Sequence, residues 1–407
     1  MEQRLIGREA ELKLLNEYIN SNRSEFIAVY GRRRVGKTFL IRKAVEDHFA
    51  FFMTGMNGVA KGEQLVNFSI ALQKYTHSTT LQTFKSWLLA FYALSQYIET
   101  LPEGKKIIFI DELPWMDTAK SGFIPALENF WNSWAVLRND IKLIVCGSAT
   151  SWMINNLIRN RGGLHNRLTH HLIVKPFTLH ECEEYFKAYH FGYSRKQIAE
   201  CYMVMGGIPY YLSMMDKSKS LAQNIDQLFF ADNAELKDEF NDLYRALFKK
   251  SADHIAVVTA LATKGMGMTR QELVKASGGK DNGAFSTVLE ELEQCGFIRL
   301  YEPFSTANKM TSDIQKYLIP ISRFLYALLL PFHQAQQVSG FQFLVILPKQ
   351  SAIPYLGWLV FRDALSKPYR QNQACPGNFG STDLGLLMAK QQYRKGNSNR
   401  LADRPER

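Results

Sequence analysis

The sequence predicts an α/β protein built on a parallel sheet, and three observations carry that expectation. Three short apolar runs, Phe26–Tyr30, Lys106–Ile110 and Lys142–Cys146, have the length and continuity of strands buried on both faces. Helical spacing alternates with strand patterns over the first 180 residues, in the βαβ manner. The composition, 46% apolar and 21% charged, is globular and excludes a wholly disordered or collagen-like chain. At 407 residues the chain is long enough for two or three domains.

Taken in order, Leu12, Leu14, Leu15, Tyr18 and Ile19 give Glu9–Ser21 a helical face. The strand Phe26–Tyr30 ends at Gly31, and a helix is expected from Gly36. The next two strands end at Asp111-Glu112 and at Gly147-Ser148. Ligands of open α/β sheets bind beyond the carboxyl ends of the strands, so these three polar ends are expected to form one site. From about His180 to Asn241 strand signals fade, and patterns such as Glu183–Tyr189 and Arg195–Met205 predict a small helical subdomain. Residues 250–301 predict helices over Asp253–Thr263, Thr269–Ser277 and Asn282–Gln294 and a strand over Phe297–Tyr301, the pattern of a winged helix. Thr269 with Glu272 forms a capping box and Gly278-Gly279 a helix stop. The expected boundaries are 1–180 for the core, 181–245 for the helical part, 246–303 for the winged-helix-like module and 304–407 for a poorly defined tail.

Gly31-Arg-Arg-Arg-Val-Gly36-Lys37-Thr38 has the spacing of a phosphate-binding loop between a strand and a helix. Its backbone N–H groups, through Arg34, Val35, Gly36 and on to Phe39, are expected to cradle phosphates. Lys37 would reach the β and γ phosphates, and Thr38 would offer a hydroxyl to Mg²⁺. Asp111 is expected to hold the magnesium shell, and Glu112 to act as general base toward water. Paired carboxylates favour hydrolysis over nucleotide storage. Ser148, with Thr150 as second choice, is placed to contact the γ-phosphate, although a plain polar turn also explains this segment. Arg161 and Arg167 are candidates for an arginine that stabilises transition-state charge, or are surface arginines. An Asn-Lys-x-Asp base-reading motif is lacking, since Asn308-Lys309-Met310-Thr311 has no Asp, which favours ATP over GTP.

The net charge of +11 points to a polyanionic partner until it is located. Residues 304–407 hold 13 Lys and Arg against 5 Asp and Glu, so most of the excess lies in the last quarter. The five cysteines include no Cys-x-x-Cys pair and indicate neither a disulfide framework nor a zinc site. The first residues do not read as a signal peptide, and no window of about 18–20 residues stays apolar. A cytoplasmic protein with no membrane span is expected.

Together these motifs resemble the prokaryotic AAA-like ATPases of the STAND class, specifically the archaeal-type ATPase family. Ile6-Gly7-Arg8-Glu9-Ala10-Glu11-Leu12 is similar to that family's amino-terminal signature, which implies that Gly7 and Arg8 lie near the adenine. Asn166-Arg167 followed by Pro176-Phe177 also matches and makes Arg167 the better arginine candidate. Gly206-Gly207-Ile208-Pro209 resembles the Gly-x-Pro element of the helical lid, which implies that Pro209 approaches the nucleotide. The resemblance covers roughly residues 4–303. It implies ATP and Mg²⁺ as ligands and a conformational switch, acting on DNA or, alternatively, signalling through a protein partner or an oligomer. The candidate recognition helix, Asn282–Gln294, carries Glu290, Glu291 and Glu293 and few cations, which suits protein packing at least as well as DNA.

Many relatives end in a domain resembling the PD-(D/E)xK nucleases, and residues 304–407 carry no such constellation. Seven of the 13 prolines fall there, and the apolar runs are aperiodic. Residues 395–407 can be back-translated so that the shifted frame resembles the nuclease-fold strand. The expectation is a frameshift near residues 308–320, the alternative a divergent basic tail that folds or binds nucleic acid.

Overall fold

The computed structural model describes residues 4–301 and 316–318, apart from 160, 161, 163, 165, 232, 249, 265 and 266. Arg161 and, except for 316–318, the tail over 304–407 lie outside the described residues. The first part runs α1 (Glu9–Asn20), β1 (Glu25–Tyr30), α2 (Lys37–Ala44), β2 (Phe51–Thr54), α3 (Lys61–Thr76), α4 (Trp87–Glu99) and β3 (Lys106–Asp111). It continues with α5 (Phe123–Ser133), β4 (Ile141–Gly147), the single turn α6 (Thr150–Met153) and β5 (His170–Ile173). The five strands form one parallel sheet in the order β2-β3-β4-β1-β5.

Strand alternation builds two cores, one on each face of the sheet. Ile27, Val29, Phe109, Ile144 and Cys146 point to the side covered by α1, α2 and the helices that follow the sheet. Phe26, Ala28, Ile108, Ile110, Leu143 and Val145 point to the side covered by α3, α4 and α5. Each fully buried Phe, Ile or Leu stabilises this arrangement by about 1.5–3 kcal/mol. The inner strands β1, β3 and β4 are buried along their whole length, which is why they read as continuous apolar runs.

The sequence reading misses β2 and β5. The first has only four residues of alternating exposure, and the second is an edge strand that begins with two histidines. The apolar run Phe49–Met53 does mark β2, whereas β5 shows only Leu172-Ile173-Val174 after its two histidines. Register places the ends of β1 and β4 side by side, with Tyr30 paired to Gly147, and β3 beside β4, with Ile110 paired to Val145. The three polar strand ends are therefore neighbours.

Beyond the sheet come α7 (Leu179–Ala188), α8 (Arg195–Met205), α9 (Pro209–Ser213) and α10 (Leu221–Phe229), whose apolar faces join the first core. Then α11 (Glu239–Leu247), α12 (Ser251–Thr263), α13 (Arg270–Ser277) and α14 (Gly283–Gln294) precede an antiparallel ribbon of β6 (Arg299–Tyr301) and β7 (Lys316–Leu318). This part has its own core, including Tyr244, Phe248, Val258, Leu261, Leu273, Leu289, Leu292 and Phe297. The Thr269 hydroxyl accepts from the Glu272 N–H at 3.2 Å, and the Thr269 N–H donates to the Glu272 carboxylate at 2.9 Å. Gly278 ends α13 in the left-handed conformation. The strand expected over Phe297–Tyr301 is shorter because Phe297 and Ile298 turn into the core, their N–H groups donating to the Leu292 carbonyl. Its partner strand, β7, comes from the stretch read as tail.

Among the described residues no helix is long and apolar enough to cross a membrane. Cys146, Cys182, Cys201 and Cys295 are buried.

Candidate nucleotide site

Gly31 leaves β1 at φ 147°, where a side chain is strained, and a Cβ there would lie 2.1 Å from the Val174 carbonyl. The loop then turns through two left-handed residues, Arg34 and Gly36, and α2 begins at Lys37. The Lys37 ammonium is buried and donates to the carbonyls of Gly31 at 3.0 Å and Arg32 at 2.9 Å. Val35 is buried beneath the loop.

The acidic end of β3 meets this loop. The Thr38 hydroxyl donates to Asp111 Oδ2 at 2.7 Å, and the other Asp111 oxygen accepts the Glu112 N–H at 2.9 Å. Glu112 itself is left-handed, at φ 47° and ψ 47°, an uncommon conformation for a residue with a side chain. Its carboxylate is held by Ser148, whose hydroxyl lies 2.6 and 2.7 Å from the two oxygens and whose N–H donates at 3.2 Å. Thr150, the second choice, is buried, and its hydroxyl bonds neither Glu112 nor Ser148. Burial, with Asp111 nearby, pushes the Cys146 thiol far above its ordinary value, so it is no nucleophile.

The entry turn lies on the other side of the loop. Gly7 and Arg8 are both left-handed, and a Cβ on Gly7 would meet the Glu181 carboxylate at 2.8 Å. The Arg8 N–H donates to Glu181 Oε1 at 3.2 Å, and its guanidinium donates to the Val35 carbonyl at 3.2 Å while lying 4.8 Å over the Phe177 ring. Arg8 thus ties the entry turn to the phosphate loop. The sequence reading misses Glu181, although Thr178 three residues before it is a capping-box signal: Glu181 Oε2 accepts the Thr178 N–H at 2.7 Å.

These elements enclose a cavity of about 360 Å³. Gly36, Lys37, Thr38, Phe39 and Glu112 line one end, and Leu5, Ile6, Phe177, Tyr185 and Tyr189 line the other. A cationic, N–H-rich end and an aromatic end are the two environments that a nucleotide's phosphates and base require. Pro209 and Tyr210 of α9 form part of the wall. Their approach is fixed by Gly207, whose carbonyl accepts the Phe177 N–H at 2.7 Å and where a Cβ would lie 2.4 Å from the Phe177 carbonyl. Arg167 is exposed and is not among the lining residues.

Residues 5–215, just over half of the chain, match the model of a family described as an ATPase domain predominantly from Archaea. The chain belongs to this family. Within this ATPase domain lie the residues of the nucleotide site described above. An uncharacterized protein of Methanocaldococcus jannaschii, MJECL04, is 31% identical over 208 residues, covering 51% of this chain and 43% of that one. The uncharacterized ATP-binding protein MJ0423 of the same organism is 48% identical over 42 residues, covering 10% of this chain and 71% of its own length. The chain thus spans less than half the length of the first of these relatives. The Walker-type ATPase PABY2304 of Pyrococcus abyssi has a similar fold, with a TM-score of 0.55 at 18% identity over 80% of this chain and 96% of that one.

One contact of the ATPase domain comes from outside the family match. The Arg34 guanidinium stacks 4.5 Å from the Tyr210 ring centre and lies 2.5 Å from Glu239 at the start of α11. No motif marks Glu239, and only the folded chain brings it to the loop.

Proposed function

We propose that the chain is a Mg²⁺-dependent ATPase in which ATP binding and hydrolysis drive a conformational switch. The observation that carries the reading is the 2.7 Å bond between Thr38, in the first turn of α2, and Asp111, at the end of β3, a hydroxyl and a carboxylate that suit a phosphate-bound magnesium. The donors are hard oxygens and the cavity's cationic end fits phosphates, so residues and ligand agree. Thr38 and Asp111 would hold Mg²⁺, which when bound neutralises charge on the phosphate oxygens.

The chain's own residues supply the rest. Lys37 exchanges its two carbonyl partners for phosphate oxygens, and the loop N–H groups orient the triphosphate. Glu112 accepts the proton of the attacking water while the water oxygen bonds to the γ-phosphorus and the bond to the β-phosphate oxygen breaks. Leu5, Ile6 and the aromatic wall exclude water around the base. Pro209 and Tyr210 carry the state of the site to the helices of the lid.

As to output, a protein-binding switch of the STAND type is favoured over DNA action, from one observation. Two of the glutamates of α14, the helix that would read DNA in a winged helix, are engaged within the protein: Glu290 with Arg159 and Glu291 with His254, and the third, Glu293, accepts the Leu300 N–H. Such an acidic, internally bonded helix repels phosphate.

Lys37→Ala tests the site. The mutant should stay folded and lose ATP binding, read by a nucleotide titration beside a circular dichroism spectrum. Parental ATP affinity in the folded mutant overturns the assignment.

A further inference from the structure

Two arginines of the phosphate loop are held by residues of the chain beyond residue 215, where the family match ends. Arg32 lies 4.3 Å over the ring of Phe297, which follows α14. Arg34 lies beside Glu239, with Nη1 and Oε2 2.5 Å apart as a charge pair without the alignment of a hydrogen bond. The second Glu239 oxygen accepts the Tyr211 hydroxyl at 2.7 Å. One largely buried carboxylate therefore joins the phosphate loop, the α9 turn of the lid and the helix α11 that leads into the following module.

We infer that Glu239 is a positioning residue of the nucleotide site, supplied by the segment after the ATPase domain, and that it competes with nucleotide phosphate for Arg34. The inference rests on the nucleotide reading of the cavity, whose wall includes Arg34. An arriving triphosphate brings several negative charges to a loop where Glu239 already neutralises Arg34. Either the pair opens or like charges are left side by side in a partly buried place. Opening it frees α11 from the loop, with Tyr211 as its remaining polar tie at this carboxylate. By linkage, whatever pulls α11 away should tighten nucleotide binding by the same factor. Glu239 is thus where the module beyond the lid registers whether the phosphate site is filled.

The test compares the full chain with Glu239→Gln and Glu239→Asp, titrated with ATP and with adenosine. Glu239→Gln should bind ATP about tenfold more tightly, the scale of ordinary coupling between sites. Its adenosine affinity should not change, and Glu239→Asp, which keeps the charge, should stay near the parent. A purely structural role would shift both ligands together. Unchanged or weaker ATP binding by Glu239→Gln overturns the inference, and so does an equal gain for adenosine. A parent chain that binds no ATP overturns the nucleotide reading itself and this inference with it. Hydrogen exchange on the parent needs no variant: ATP should speed exchange over Glu239–Leu247, and unchanged or slowed exchange there also overturns the inference.

Discussion

Ser148 and Glu112 form one unit, the serine hydroxyl lying 2.6 and 2.7 Å from the two carboxylate oxygens. The sequence reading gives Ser148 to the γ-phosphate, and the contact in the structure is to Glu112. A residue that orients the base affects turnover more than binding. Ser148→Ala should therefore keep its ATP affinity within about twofold and lose about 10–100-fold in kcat, the usual scale for a misplaced catalytic group. Ser148→Thr, which keeps the hydroxyl, should recover most of it. Steady-state kinetics decide, and lost affinity with intact kcat would return Ser148 to a phosphate contact.

Gly31 is a second point at which geometry leaves one residue type. A methyl group there would lie 2.1 Å from the Val174 carbonyl, at a φ that side chains avoid. Gly31→Ala should cost about 2–4 kcal/mol through overpacking and backbone strain. Denaturant unfolding of the two proteins checks this. An unchanged midpoint would mean that the loop and the exit from β5 can separate at no cost.

His170, at the far end of the sheet, links stability to pH. Its ring stacks on Tyr18, with centroids 3.6 Å apart. Burial lowers its pKa below the ordinary 6.5, with Arg23, His171 and Lys142 adding to the effect and Glu25 opposing it. The unfolded chain then binds the proton more readily than the folded one. The contribution is fully present above about 6.5 and is lost as pH falls from there through the lower folded value. Unfolding midpoints should fall between pH 7.5 and 5.5, and His170→Gln should flatten part of that slope. An identical slope in the mutant would contradict the assignment.

Much of the site was legible because its chemistry lies at the ends of buried strands. The apolar runs before Gly31, Asp111 and Gly147 show both the strand and its carboxyl end, and β1, β3 and β4 follow them closely. What the sequence reading missed depends on weak local signals or on tertiary contacts. Strand β5 is short and begins with two histidines, so the approach of Val174 to Gly31 was invisible. Glu181 and Glu239 act through contacts that only tertiary structure creates. Arg167 is exposed and is not among the residues that line the cavity.

The measurement that tests the account most directly is phosphate release by the parent and by Glu112→Gln, with Mg-ATP affinity measured on the same samples. Glutamine keeps the size of Glu112 and cannot take the proton of the attacking water. Nearly equal affinities are expected, with hydrolysis slower by about 10²–10⁴-fold in the mutant. Hydrolysis at the parental rate would contradict it.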